Sequence, residues 1–359
     1  MSIQVISFLI KLIVNFNSNL VIRNILKKLV RKLLSLLFKI PFSFDSFKKI
    51  YADLLSENDN KRLFSSYRLH ELMISDQERL KKYRLAINKY IKKNQIVADV
   101  GAGTGFLAFL MNKNSPKKIY AIDHSNIIES AKYLIDKNNI KNITLISKNS
   151  KDFFPKEKVD VIFHELIGSG LINEGMIDPL IDLRERVLLP KKGKIYPSKF
   201  ELYLEPISLK NESKKPYLWQ NKVGKVDYSP LKYFLPQETK KDLFIISHFD
   251  IEKLLSIPKP IYIFDLMKIK KGEFPSKINF RKKLNQESLF DGFCLFFKVR
   301  FDDEIFFDTF PHTPKTHWEN SIPYFRFPSR MITKKEMLNL SLIIRNHNKL
   351  RSWEIINTQ

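Results

Sequence analysis

Two glutamates on one loop are the residues of this chain best suited to chemistry. Glu165 and Glu174 follow a mainly apolar segment, 159–163, that predicts a buried strand. Two carboxylates on a glycine-bearing loop can hold one cation between them. A guanidinium is the natural guest because it is planar, carries five N–H donors in a fixed fork and stays protonated. The alternative is that both acids are ordinary solvated loop charges.

A glycine-rich turn is the second candidate site. It reads Asp-x-Gly-x-Gly-x-Gly from Asp99 to Gly105 and follows a predicted strand at 96–100. Glycines allow positive φ and close approach of the backbone to a ligand. Asp123, at the end of the next predicted strand, stands where a carboxylate can accept hydrogen bonds from ribose hydroxyls. The turn therefore suits an adenosine-containing cofactor, although Gly103 to Ala108 also satisfies the dinucleotide pattern G-x-G-x-x-A.

Both loops need a sheet to position them, and the surrounding sequence predicts one. Short β-rich runs alternate with helical stretches, which indicates an α/β fold with a doubly wound parallel sheet. A long helix is predicted before it, at 67–92, and a separate β-rich domain after it, joined near Pro197. The predicted strands of the sheet are 96–100, 118–122, 143–147 and 159–163, with helices at 106–112 and 125–138; the later domain has strands at 200–205, 261–267 and 293–301.

Composition limits the classes of protein that this chain can be. Its 359 residues, 44% hydrophobic, suffice for two domains with their own cores. The single cysteine, Cys294, excludes an intramolecular disulfide and favours a reducing compartment such as the cytoplasm. The formal charge of +24 attracts polyanions such as nucleic acid or an anionic membrane surface, unless it only reflects a lysine-rich coding bias.

The first 44 residues contain no acid, and apolar positions within 22–40 follow helical spacing with lysines and arginines opposite. This pattern predicts a basic amphipathic helix. Its apolar runs are far shorter than the roughly 20 residues needed to span a bilayer. The helix could lie in a membrane interface, pack on the fold or act as a targeting segment.

Four segments together resemble the protein arginine methyltransferase family. They are the helix at 67–79, the Asp-Gly loop, the loop with two glutamates, and Thr316-His317-Trp318. The resemblance runs in order from about residue 63 to residue 324, and the paired glutamates and the Thr-His-Trp element are its specific parts.

This resemblance implies an enzyme that transfers a methyl group from S-adenosylmethionine to the guanidinium of arginine. After the basic amphipathic extension at 1–44, it implies an S-adenosylmethionine-binding domain at 45–197 and a β-barrel-like domain at 198–359. It also implies a homodimer formed through an arm near 214–240.

Residue roles follow from the same resemblance. Glu165 and Glu174 would hold the guanidinium, while His317 would pair with Asp76 and receive a proton, unless it merely ties the barrel to the helix. Arg79 would pair with the cofactor carboxylate. Met73 and Met176 would flank the reacting methyl, or be ordinary core residues. The full set expected to line the cofactor is His70, Met73, Arg79, Asp99, Gly101, Gly103, Gly105, Asp123 and Met176.

The chain also departs from the family pattern. Leu166 follows the first glutamate where a tryptophan is usual, and Ser150 stands where the family places an adenine-contacting acid. A strongly basic enzyme would repel arginine-rich targets. Three alternatives therefore stay open: methylation of a small guanidino or amino compound, a catalytically decayed membrane-associated scaffold, and, more distantly, a nicotinamide-dependent oxidoreductase.

Overall fold

A computed structural model describes residues 64–357, apart from 215–216, 218, 220–221 and 234–242. The predicted extension at 1–44 lies outside the described residues, as do several parts of the predicted arm at 214–240. Within the described ranges, no helix is both long and apolar enough to cross a membrane.

The first described helices are α1, Tyr67–Ser75, and α2, Gln77–Tyr90. The prediction of a single helix over 67–92 was therefore wrong. Asp76 interrupts it with φ −71° and ψ 86°, and its side chain accepts a hydrogen bond from the Arg79 backbone as the N-cap of α2. An aspartate at the N-cap stabilises the start of a helix. Here the capping hydrogen bond also fixes the orientation of the Asp76 carboxylate.

A parallel sheet in the order β3-β2-β1-β4-β5 follows. This confirms the predicted α/β class. Buried strands with both faces covered account for the near-continuous apolar runs in β1 and β4. The strands are β1 Ile96–Val100, β2 Lys118–Asp123, β3 Ile143–Ser147, β4 Val161–His164 and β5 Lys194–Tyr196, and the helices between them are α3 Phe106–Asn112, α4 Ile128–Lys137 and α5 Ile177–Arg186.

The register of this sheet brings the two predicted sites to the same edge. Val100 pairs with Ile122 of β2 on one side and with His164 of β4 on the other. The carboxyl ends of three neighbouring strands therefore align. The glycine turn, Asp123 and Glu165 all begin where those strands end, which is where open α/β sheets bind ligands.

The described strands that follow β5 pair in antiparallel sheets, which confirms the predicted barrel-like domain. One sheet has the order β10-β6-β13-β15-β9, with β11 on β6 and β14 on β13; a second has the order β12-β16-β17, and β7 and β8 form a hairpin. The strands are β6 Lys199–Leu209, β7 Lys222–Val223, β8 Val226–Asp227, β9 Leu243–Ile246, β10 Ile251–Leu254, β11 Tyr262–Asp265, β12 Lys277–Lys283, β13 Ser288–Arg300, β14 Phe306–Asp308, β15 Ile322–Ile332, β16 Met337–Ile344 and β17 Trp353–Asn357.

Helix α2 joins the two parts. Its buried Tyr83 meets Phe301, which follows β13, in an edge-on contact with ring centroids 4.9 Å apart. At the end of the helix, Lys89 Nζ lies 2.8 Å from a carboxylate oxygen of Asp302. Edge-to-face aromatic pairs add stability beyond their buried area. The helix that carries Arg79 is thus held against both the parallel sheet and the barrel.

Candidate active site

A small cavity lies at the carboxyl edge of the parallel sheet, beneath α1 and α2. Six of the residues predicted from the sequence line it: His70, Met73, Arg79, Gly101, Gly103 and Glu165. The other lining residues are Ile74, Leu80, Tyr83, Ala102, Thr104, Phe106 and Leu107. Residues separated by up to 95 positions in the chain therefore meet at one site.

The glycines of the turn have different structural tasks. A Cβ on Gly103 would come within 2.5 Å of the His70 ring, and one on Gly101 within 2.8 Å of Leu166. Both glycines also have positive φ, of +54° and +79° respectively. Gly105 instead caps α3, and a side chain there would press on Ala131 of α4. Gly105 does not line the cavity, so its expected cofactor contact has no support in this geometry.

Asp99, on β1, is a fully buried acid. Neither of its carboxylate oxygens has a hydrogen-bond partner among the described residues, although the Ala108 backbone is near enough to favour the charged form. Burial raises the pKa of Asp99 to about 7, and repulsion from Asp123 and Glu165 acts in the same direction. An unsatisfied buried carboxyl is costly, so this position suits a ligand that brings its own donors.

Asp123 organises the turn from the neighbouring strand. One carboxylate oxygen accepts a hydrogen bond from the Gly103 N–H at 2.8 Å, and the other accepts from the N–H and hydroxyl of Ser125 at 2.7 and 2.6 Å. Asp123 thus holds the glycine backbone in place. It is only partly buried and keeps further lone pairs for a ligand.

Arg79 is the buried cation of the site. Its guanidinium donates to Glu165 Oε1 at 2.9 Å and to the Met73 carbonyl at 2.5 Å, while its Nε has no hydrogen-bond partner in the described structure. Burial alone would lower the pKa of Arg79, but the interactions with Glu165, Tyr83 and Asp76 together outweigh it and raise the pKa. The Arg79 guanidinium therefore stays charged and retains a donor for an anionic group.

Glu174 and Glu165 are close enough to affect each other electrostatically. Burial raises the pKa of Glu174 to about 8, the negative charge of Glu165 adds to that rise, and Arg79 opposes it. Two carboxylates that share a site resist being ionised together unless a cation enters. Glu165 lines the cavity and Glu174 does not, so this electrostatic coupling is what links the two acids.

The two predicted members of the proton-accepting pair lie in contact although 241 positions separate them. Asp76 Oδ2 accepts hydrogen bonds at 2.8 Å from both the backbone N–H and ring Nδ1 of His317. Burial would raise the pKa of Asp76, but these hydrogen bonds outweigh it and the pKa falls. Trp318 is buried and stacks on Phe307 with the rings 7° from parallel, which fixes the short helix that carries His317.

The two methionines differ in position. Met73 lines the cavity, whereas Met176 is fully buried in the hydrophobic core at the start of α5 and does not line the cavity. The expected flanking of a methyl group by both is therefore supported for Met73 alone.

Sequence reasoning overlooked Tyr83. This residue lines the cavity and its hydroxyl donates to the His164 carbonyl at 2.9 Å. The available signal was its spacing, because four positions after Arg79 on a helix is the same face.

His164 and Leu166 flank Glu165 and hold it in place. His164 is buried with Nε2 2.9 Å from the Pro197 carbonyl, and burial lowers its pKa to about 4. The ring is thus neutral at pH 7 and donates from Nε2. Leu166 packs against Gly101, the first glycine of the turn. Glu165 is therefore anchored between the barrel junction and the glycine turn.

Both domains of this chain match those of known proteins. Residues 198–356 match the arginine methyltransferase oligomerization subdomain, and residues 91–216 match a methyltransferase domain. Protein arginine N-methyltransferase 1 of Saccharomyces cerevisiae is 33% identical over 282 residues, which cover 75% of this chain and 78% of that protein. The Dictyostelium discoideum protein of the same name is 30% identical over 269 residues, 73% of this chain and 77% of that one.

Solved structures share the fold. A chain of the Trypanosoma brucei PRMT1 enzyme-prozyme heterotetrameric complex with AdoHcy superposes with a TM-score of 0.70 at 22% identity, covering 82% of this chain and 95% of that one. Arabidopsis thaliana protein arginine methyltransferase 10 superposes with a TM-score of 0.68 at 24% identity, covering 80% and 92% of the two chains.

Proposed function

This chain belongs to the protein arginine N-methyltransferase family, and from that membership we propose how its own residues carry out the reaction. The chain is an S-adenosylmethionine-dependent enzyme that methylates arginine in proteins. The roles of individual residues are our proposal, and they rest on the geometry of the cavity and its neighbours.

The described residues fit the cofactor. S-adenosylmethionine supplies, when bound, a methyl group on a sulfonium that an in-line nucleophile can displace. Arg79 would hold its carboxylate, because the Nε of that guanidinium, 3.9 Å from Asp76, donates no hydrogen bond to any described residue. Asp99 would hold its ammonium group, because neither of its buried carboxylate oxygens has a hydrogen-bond partner among the described residues. Gly101 and Gly103 would let the backbone approach it, and Asp123 would accept from its ribose.

The two loop glutamates would bind the substrate guanidinium. Arginine is a weak nucleophile because its charge is delocalised over three nitrogens. Carboxylates at two of them would draw the positive charge towards those nitrogens and leave electron density on the third, which would be the nucleophile. Glu165 is anchored by Arg79 at 2.9 Å, and Glu174 would release its proton as the cation enters. Fixing the nucleophile in this orientation supplies much of the rate of a displacement.

The proton released after transfer needs a receiver, and we assign it to His317. Its Nδ1 is held by Asp76 at 2.8 Å, which leaves Nε2 as the nitrogen able to take a proton. Asp76 thus positions His317, and Asp76 is itself fixed by the hydrogen bond that it accepts from the Arg79 backbone N–H as the N-cap of α2.

The observation that carries the proposal is the ion pair between Glu165 and Arg79 within the cavity formed by the glycine turn. A direct test is to incubate the full chain with methyl-labelled S-adenosylmethionine and an arginine-containing protein, then to hydrolyse the protein and look for methylarginine. Label confined to small molecules would contradict the proposal, as would label on residues other than arginine.

We also propose that the enzyme is a homodimer formed through the arm near 214–240. Residues 198–356 match an oligomerization subdomain, which supports this assignment. Sedimentation velocity should give twice the mass of 42.4 kDa, and a shortened arm should give the monomer. A monomer in the unmodified chain at micromolar concentration would refute it.

For the first 44 residues we propose attachment of a cytoplasmic enzyme to anionic membranes. Their acid-free basic composition supports this. The full chain should sediment with vesicles containing phosphatidylserine, and a chain lacking 1–44 should stay in solution. Equal sedimentation of both chains would refute the proposal.

A further inference from the structure

A second cleft lies on the barrel, away from the cofactor loop in sequence. Its walls are the end of β12, the segment that follows β10, and the turn before β16. We call it the basic cleft and define it by five exposed cations: Lys259, Arg281, Lys283, Lys334 and Lys335. Its volume is about 530 Å³, within the range of small-ligand sites.

The charge of the basic cleft is uncompensated. No acidic side chain lines it, and none of its five exposed cations forms an ion pair in the part of the chain described. The nearby Glu336 is engaged by Arg330 at 2.6 Å. Five like charges in one concavity repel each other and attract an anionic group more strongly than the same charges spread over a convex surface.

A buried ion pair shapes one wall of the cleft. The alternation of β12 turns Ile278, Phe280 and Lys282 inward, so Lys282 is a lysine at a core position. Its amine lies 2.5 Å from Glu205 and donates to the Lys259 carbonyl at 2.7 Å.

The same carboxylate holds the segment that follows β10. Glu205 accepts hydrogen bonds from the Ser256 hydroxyl at 2.6 Å and from the Lys259 N–H at 3.0 Å. The wall that presents Lys259 is therefore tied to β12 before any ligand arrives, and a preformed site loses less entropy on binding.

The apolar residues that line the cleft indicate which kind of anion it binds. Ile257 is 77% exposed and Met337 is 46% exposed, so two large apolar side chains stand beside the cations. No aromatic residue lines the cleft. Single-stranded nucleic acids bind largely through base stacking on aromatic rings. A peptide, in contrast, can supply carboxylates and an apolar side chain together.

We propose that the basic cleft binds an acidic peptide segment of a partner protein, with carboxylates at the lysines and an apolar side chain against Ile257 and Met337. This interaction is independent of methyl transfer. It stands whether or not the residue assignments at the active site are correct. It also gives a strongly basic enzyme a way to bind proteins that its overall charge does not repel.

The test is fluorescence anisotropy with the full chain and a fluorescein-labelled peptide of glutamates interrupted by two leucines. The variant Lys283→Glu with Lys335→Glu should weaken binding by at least about tenfold. The matched control is Lys113→Glu with Lys132→Glu, which makes the same charge change at exposed positions elsewhere and should change affinity by less than about twofold. Melting temperatures of both variants show that each is folded.

Three outcomes would overturn the proposal. Equal weakening by the two charge variants would mean attraction to net charge alone. An oligouridine probe that binds more tightly than the peptide, and loses affinity only in the cleft variant, would assign the cleft to nucleic acid. In an Ile257→Ser variant, the affinity for the leucine-containing peptide should fall relative to the affinity for an all-glutamate peptide. An unchanged ratio of the two affinities would show that the peptide makes no apolar contact there.

Discussion

The active site and the basic cleft both concentrate charge, but they do so in opposite environments. At the active site Asp99, Asp76 and Arg79 are buried, and each is held by the fold in a particular geometry. At the cleft the five cations are exposed, and none of them forms an ion pair with another described residue. Buried charges need partners, because losing water costs several kcal/mol per ion. Exposed charges need none, because water and salt screen them.

The comparison teaches that position matters more than the number of charges. Buried groups acquire shifted pKa values and act on one ligand at short range, whereas exposed lysines act together and without fixed geometry. Variants at the two sites should therefore differ in magnitude, in their salt dependence and in their pH dependence.

The largest effect is expected from the glutamate pair. Glu165→Gln and Glu174→Gln should each lower kcat/KM for a protein arginine substrate by roughly 10²- to 10³-fold, since each removes a charge aligned with the reacting guanidinium. Steady-state kinetics with labelled cofactor measures this. Glu157→Gln, an exposed acid paired with Lys117, is the matched control and should leave kcat/KM unchanged. Activity within about threefold in either loop variant would refute the clamp.

Next comes Arg79→Lys, which keeps the charge but removes the planar fork. It should raise the Kd for S-adenosylmethionine by about 10- to 100-fold, because a lysine amine cannot contact Glu165, Met73 and the cofactor carboxylate together. Isothermal titration calorimetry gives the two affinities. Arg84→Lys, on the exposed side of the same helix, should bind like the unaltered chain. If both variants bind alike, Arg79 does not hold the cofactor.

A smaller effect is expected at the positioning pair. Asp76→Asn keeps a helix-capping side chain yet removes the charge beside His317, and should lower kcat by about tenfold. His317→Gln should lower it similarly. Because both act through one contact, the double variant should be little worse than either single one. Fully additive losses would show that the pair is not a functional unit, and Glu78→Gln on the same helix is the control.

Ionic strength separates the two regions directly. Raising salt from about 50 to 300 mM should weaken binding of the acidic peptide to the basic cleft several-fold, because exposed charges are screened. The affinity for S-adenosylmethionine should change by less than about twofold, since Arg79 and Asp99 are buried. Similar salt slopes for both ligands would contradict the distinction between them.

The smallest effect concerns stability. The pKa of Glu174 is raised from 4.5 to about 8, so between those pH values the folded chain holds a proton that the unfolded chain has lost. Its contribution to stability is present at low pH and disappears as pH rises towards 8. Glu174→Gln has no such proton to lose. The melting temperature of Glu174→Gln minus that of the unaltered chain should increase by a few degrees from pH 5 to pH 9. The same difference for Glu157→Gln should not change.

Local sequence predicted the elements that depend on near neighbours. The strands at 96–100 and 143–147 and the helix at 106–112 were found with those bounds, because strands and helices have distinct apolar periods. Asp99 and the glycines could be assigned to a cofactor turn for the same reason. The paired glutamates, however, could be assigned to an arginine site only because they resemble the motif of a family, and not from their spacing alone.

The errors have a common origin. Asp76 breaks the predicted helix because it caps α2 and accepts two hydrogen bonds from His317, a residue 241 positions away. The cofactor contacts expected of Gly105 and Met176 stay predictions, since Gly105 packs against α4 and Met176 is buried in the core. No local pattern carries these contacts.

The sequence by itself therefore determined the alternation of strands and helices, the glycine turn, and which acids could bind a cation, since these depend on residue type and short-range spacing. Only the tertiary structure decided that Glu165 pairs with Arg79, that Glu174 and Asp99 have raised pKa values, and that five lysines and arginines converge on one cleft. The physical reason is that electrostatic interaction depends on distance and burial. Both are set by the packing of segments far apart in the chain.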